Sequence, residues 1–159
     1  MEPIEKNQEQ HAPESRNNYI YSSVVRAIIV IASLILEIVP TGVVMVYGVV
    51  GSSSEIEFLS RTYSFFNLTP FGYAIFCPFI IAVLTCVLIL LTFVDIFTKK
   101  RGFLLASIVV SSIALALSLL NLFVSMTAIG WILISLFAIY LSIAVTELRL
   151  KKKADRPNI

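Results

Sequence analysis

The chain has 159 residues, of which 58% are hydrophobic and only 14% charged, and its mean hydropathy is +0.91, a balance that excludes an ordinary soluble domain. The net charge of +2 says little as a total, but its distribution decides the class. Residues 27–54 contain only Glu37, 62–98 only Asp95, and 102–146 no charge at all, which bilayer spans explain and a water-soluble core does not.

Residues 1–18 are rich in Glu, Gln, Asn and Pro and have too few apolar side chains to offset chain entropy, so a disordered cytoplasmic tail is expected over 1–23. The apolar run Val24–Val50, interrupted by Arg26, Glu37 and Pro40, predicts the first span, with a kink at Pro40. It is about twice as long as the 7–15-residue apolar region of a secretory signal peptide. Gly51–Thr69 reads as a polar-aromatic outer loop, in which Ser54 and Glu57 have capping-box spacing and predict the start of a short helix. Phe58, Tyr63, Phe65, Phe66, Phe71 and Tyr73 suit the headgroup zone. Thr69 and Pro70 read as cap and first residue of a helix, and a second span follows at about 71–97, bent at Pro78.

After the polar turn Thr98–Gly102, the 45 uncharged residues to Thr146 would extend about 67 Å as one helix, against a hydrocarbon core of about 30 Å. They are expected to form a hairpin of spans at about 103–123 and 129–147, turning near Asn121, Ser125, Thr127 and Gly130, with Trp131 as an interfacial anchor. Residues 148–159 form a basic tail. The expected fold class is therefore all-α: one membrane domain, 24–147, forming a four-helix transmembrane bundle that runs up-down-up-down.

Eleven of the twelve Lys and Arg residues fall on one side of this arrangement and only Arg61 on the other, which predicts cytoplasmic termini. Lys99, Lys100, Arg101, Arg149, Lys151, Lys152 and Lys153 fix this orientation and are candidate contacts for anionic lipid headgroups. Cys77 and Cys86 are separated by about 13 Å of helix and face opposite ways, so they cannot pair with each other.

Ser107, Ser111, Ala114, Ser118, Asn121 and Ser125 form a stripe of small or polar residues that should face protein, and Ser135, Ala138 and Ser142 repeat it in the fourth span. Glu37 lies near the midplane, where an ionised acid is costly, and a neutral carboxyl bonded to Thr85, Ser111, Ser112 or Tyr140 is expected. It is either a proton or cation site or a hydrogen-bonding link between helices. Asp95, a few residues before Lys99 and Lys100, is expected to pair with them at the interface.

Asn67-Leu68-Thr69 matches a glycosylation sequon, but Pro70 follows and the membrane is close, so modification is not expected. The sequence contains no zinc-hydrolase helix motif, no nucleophile elbow, no phosphate-binding glycine loop and no cysteine cluster. Neither an enzymatic activity, a metal or other cofactor, nor a nucleic-acid partner is expected.

Two stretches, Leu36-Glu37-Ile38-Val39-Pro40-Thr41-Gly42 and Ser64-Phe65-Phe66-Asn67-Leu68-Thr69-Pro70-Phe71-Gly72-Tyr73 with Pro78 and Leu84-Thr85-Cys86, resemble a group of uncharacterised small bacterial four-span membrane proteins. The resemblance implies a bacterial cytoplasmic membrane and supplies no activity. Glu37 and Thr41 also resemble the first-helix acid pattern of small multidrug-resistance transporters, although the long first loop, Pro40 and the strong charge bias depart from that family. The leading expectation is a non-enzymatic protein acting through interaction, as an accessory subunit, sensor or membrane-protection factor. It would bind a membrane-protein partner or its own copy. The alternative is a small proton-coupled transporter using Glu37.

Overall fold

The computed structural model of the chain describes residues 12–50, 56–72, 75–98, 100–122 and 127–154. In chain order the elements are α1 (Ala12–Ile38), β1 (Val43–Val50), β2 (Ile56–Tyr63), α2 (Leu68–Gly72), α3 (Cys77–Thr98), α4 (Arg101–Leu122) and α5 (Ala128–Ala154). Four of the helices are long and apolar enough to cross a membrane: Tyr21–Ile38, Cys77–Thr98, Arg101–Asn121 and Ala128–Lys152. The chain thus has the pattern of a multi-pass membrane protein and is mostly helical. The all-α expectation gives way at one place, an antiparallel β-hairpin between the first two long helices.

The apolar run expected to be helical up to residue 50 changes conformation at Pro40. Val39 precedes a proline and is pushed out of the helical region, while Pro40 offers no N–H to continue the ladder. The Thr41 amide instead donates to the Val39 carbonyl at 2.8 Å, and α1 ends rather than kinks. Beyond this turn Val43-Val44-Met45-Val46-Tyr47-Gly48-Val49-Val50 is dense in β-branched residues and pairs with β2, with Val43 opposite Tyr63 and Val50 opposite Ile56. Glu57 lies in this strand, so the helix start predicted from Ser54 and Glu57 does not form; Ser54 lies outside the described residues.

Pro78 is likewise a boundary and not a kink, because it is the second residue of α3, where its missing donor costs nothing. Asn67 rather than Thr69 caps α2, its Oδ1 accepting the Thr69 amide at 2.8 Å. Thr127 caps α5 by accepting the Gly130 amide at 3.1 Å, and its hydroxyl donates to the Gly42 carbonyl at 2.9 Å, tying the start of α5 to the base of the hairpin. At the chain ends, α1 begins at Ala12, inside the segment expected to be disordered, and α5 runs to Ala154, into the expected basic tail.

Helix α1 packs against α3 and α5, and α4 packs against the same two. The distribution of side chains is inverted relative to a soluble bundle. Ser23, Arg26, Ser33, Glu37, Thr85, Thr92, Asp95, Ser107, Ser111, Ser118, Asn121 and Glu147 are buried, while Ile28, Ile35, Leu90, Phe97, Val109, Leu120 and Ile139 face outward. Water would penalise that surface, whereas lipid tails solvate it and drive polar groups inward.

The stripe on α4 is buried as predicted from Ser107 to Asn121; Ser125 lies outside the described residues. On α5 the expected stripe is not the packing face, because Ser135 and Ser142 are exposed and Leu133, Phe137, Tyr140, Ala144 and Glu147 point inward. Among the described residues the serines of these two stripes do not bridge helices. Ser107, Ser118 and Ser142 each bond the carbonyl four residues back in their own helix.

Candidate functional site

Two groups of buried polar side chains occupy different depths of the bundle. The first is Glu37, in the last turn of α1. Its Oε1 accepts the Thr85 hydroxyl of α3 at 2.7 Å, and its backbone carbonyl accepts the Phe65 amide at 3.0 Å. Thr85 is also within bonding distance of the Ile81 carbonyl, at 3.0 Å. The second carboxyl oxygen of Glu37, Oε2, is buried and has no hydrogen-bond partner among the described residues.

The second group lies eleven residues earlier on α1, about 16 Å away along the helix. Arg26 is fully buried, and its Nη2 lies 2.6 Å from Asp95 Oδ2 on α3 and 3.0 Å from Glu147 Oε2 on α5. Ser22 donates to the same Glu147 oxygen at 3.0 Å. Lys151 Nζ stands 3.6 Å from both remaining carboxylate oxygens, Asp95 Oδ1 and Glu147 Oε1. Among the described residues, two cations therefore face two anions inside a low-dielectric bundle, the condition under which buried charges are tolerated.

Hydroxyls and rings continue this group inward. The Arg26 guanidinium sits over the Tyr140 ring at 5.9 Å from its centre, and the Tyr140 and Thr92 hydroxyls are 2.8 Å apart. The remaining long helix joins the same end, because Arg101 of α4 donates to the Lys151 carbonyl. Arg26, Asp95, Glu147, Lys151 and Arg101 thus clip together all four long helices.

Of the partners predicted for Glu37, only Thr85 bonds it. Ser111 is buried on α4 but donates to the Ile108 carbonyl at 3.0 Å; Ser112 is exposed and bonds the same carbonyl at 2.8 Å. Tyr140 belongs to the ionic group. Asp95 pairs with Arg26 and Lys151 and, among the described residues, not with Lys100. Lys100 is exposed and Lys99 lies outside the described residues. Arg149 and Lys152 are exposed, while Lys151 turns inward and the Lys153 side chain lies outside the described residues.

Sequence reasoning passed over Arg26 and Glu147. Both lie near the ends of apolar runs, where Arg26 counts only toward orientation and Glu147 carries no expectation, yet the fold brings Arg26, Asp95 and Glu147 together. Matching charges by depth, as was done for Glu37, would have found them.

The hairpin presents the third feature. Gly42 lies against the Phe65 ring, and Val43, Met45 and Phe65 join the bundle core. Tyr47 and Tyr63, on the same face, touch through their hydroxyls. The opposite face carries Val46, Phe58 and Ile56, which are 64%, 77% and 64% exposed, so a contiguous apolar surface rises from the end of the bundle that holds Glu37. Phe65 is buried rather than lodged among headgroups, while Trp131 at the start of α5 is half exposed, as an interfacial anchor would be.

Among the described residues no three His, Cys, Asp or Glu side chains converge as a metal site. Against known proteins, no family model, no curated protein and no solved structure matches this chain.

Proposed function

We propose that the chain is a non-enzymatic protein of the bacterial cytoplasmic membrane that acts through interaction, as an accessory subunit, sensor or membrane-protection factor. Its four spans run up-down-up-down with both termini cytoplasmic, on the strength of the eleven-to-one Lys and Arg bias. The bacterial assignment rests on the resemblance of residues 36–42 and 64–73 to small bacterial four-span proteins.

The observation that carries the interaction reading is the hairpin. Beyond the part seated on the bundle, this two-stranded sheet presents an exposed apolar face and, among the described residues, an unpaired edge. Such a surface is stabilised when another chain covers it. The deciding measurement is the mass and composition of the complex extracted from its native membrane in mild detergent. The expected result is a stoichiometric assembly, of two or more copies or with a second polypeptide, that falls apart in Phe58→Ser. A monomer indifferent to that substitution would sink the reading.

A second reading, a small proton-coupled transporter using Glu37, is favoured by the unpartnered Glu37 Oε2 and by two further interior carboxylates, Asp95 and Glu147. Glu37→Gln separates the two. A helix-linking carboxyl accepts the amide with a stability change within about 1 kcal/mol and unaltered assembly. A proton carrier loses proton uptake in proteoliposomes although it remains folded.

A further inference from the structure

We infer that the free edge of β2 pairs with β2 of a second copy of this chain, in antiparallel register about a two-fold axis through Leu59. This deepens the interaction reading, on which it rests, by naming the occupant of the hairpin.

Among the described residues, strand β2 is bonded to β1 along one edge only, and all its residues but Tyr63 are exposed. Its open edge therefore offers unpaired amides and carbonyls to any strand of matching pattern. Its own sequence, Ile56-Glu57-Phe58-Leu59-Ser60-Arg61-Thr62-Tyr63, supplies that pattern. An antiparallel partner related by a dyad perpendicular to the sheet keeps each face on its own side, so odd positions meet odd and even meet even. With the dyad through Leu59, Glu57 stands opposite Arg61 of the second copy and Arg61 opposite its Glu57, while the two Leu59 side chains meet at the centre. On the other face Phe58 lies opposite Ser60 and Ile56 opposite Thr62, and the two Phe58 rings are diagonal neighbours about 7–8 Å apart, within aromatic reach.

The charges single out this register. Glu57 and Arg61 are exposed, and neither has an ion-pair partner among the described residues. Four residues apart on a strand they cannot reach each other, since the separation is about 13 Å. Moving the dyad to Ser60 would set Leu59 against Arg61 and Glu57 against Tyr63, with no charge satisfied. Arg61 is also the only Lys or Arg outside the two termini, the first span and the 99–101 turn, so this pairing gives the outer segment's one cation a partner. Four strands in place of two bring the sheet to a size that is stable on its own. Two copies inserted in the same direction share an axis along the membrane normal, which this dyad provides when the face seated on the bundle looks toward the membrane.

The test uses the full chain in native membranes, with Cys77 and Cys86 replaced by Ala. Leu59→Cys is expected to form a disulfide-linked dimer under mild oxidation, and Ser60→Cys, on the opposite face and away from the axis, to form far less. In the cysteine-free protein, Glu57→Arg or Arg61→Glu alone sets two like-charge pairs against each other and should weaken the dimer by about tenfold or more. The double exchange Glu57→Arg/Arg61→Glu should restore it. Equal cross-linking at residues 59 and 60, or a double exchange no better than the single ones, overturns the register. Cross-linking of Leu59→Cys to a different polypeptide overturns the self-pairing and leaves the interaction reading standing, whereas a monomer throughout overturns both. Because these side chains are exposed, an unchanged helical circular dichroism spectrum separates lost pairing from lost folding.

Discussion

Replacing Arg26 with methionine is expected to destabilise the bundle by about 3–5 kcal/mol, the cost of leaving buried countercharges without their partner. One guanidinium nitrogen of Arg26 lies within 3.0 Å of both Asp95 and Glu147, on two different helices. Without it, Lys151, at 3.6 Å, is the one cation left beside the two buried carboxylates among the described residues. Unfolding in mixed micelles of increasing denaturing-detergent fraction measures the loss. Adding Asp95→Asn and Glu147→Gln to Arg26→Met should recover most of the stability, because the anions leave together with the cation. Lys151 then remains, but its side chain is 16% exposed and can reach the headgroups along its own stem. Arg149→Met, at an exposed position, is the control, and a loss at Arg26 no larger than at Arg149 would sink the account.

This ionic clip and the buried Glu37 differed in how readily they could be read from sequence. Glu37 interrupts a long apolar run near its middle, so its burial follows from depth, which leaves Thr85 as one of four candidate partners. Arg26, Asp95 and Glu147 sit near span ends, where a charge is ordinarily solvated, and only the meeting of three helices joins them, with Lys151, in one internal network. The four long apolar helices were legible because charge is absent over long runs. The polar face of α4 was legible because small residues repeat every three or four positions. On α5 the same spacing misled: large Phe137 and Tyr140 fill the space between helices, and the serines bond their own backbone facing outward.

The hairpin was the main loss. A run of apolar residues without alternation reads equally well as a helix or as a strand, and here it continued an unmistakable span. Two local signals pointed the other way. Pro40 forbids the helix from passing through, and five of the eight residues of β1 are valine. In β2 the Ser-x-x-Glu spacing of a helix start was overridden by pairing with β1, since a capping pattern is a local preference that tertiary contacts can outweigh.

Phe65→Ala is expected to cost about 3–5 kcal/mol, and the damage should fall on the seating of the hairpin rather than on the long helices. Phe65 is 1% exposed, its amide is held by the Glu37 carbonyl, and its ring fills the space left by the missing side chain of Gly42. The fit is close enough that a Cβ on Gly42 would stand 2.5 Å from Phe65 Cε2, inside any tolerable carbon–carbon contact. Gly42→Ala should therefore destabilise the same junction by about 1–3 kcal/mol through overpacking. The two effects share one volume, so they should not add. Gly42→Ala combined with Phe65→Leu, which removes the ring edge facing the new methyl, should be more stable than the sum of the single changes allows. Hydrogen exchange locates the effect: amides of Val43–Tyr47 should lose protection in Phe65→Ala while those in the middle of α3 and α4 keep theirs. Unchanged exchange over Val43–Tyr47 would mean that the Gly42–Thr127 hydrogen bond and the burial of Val43 and Met45 hold the hairpin without this ring.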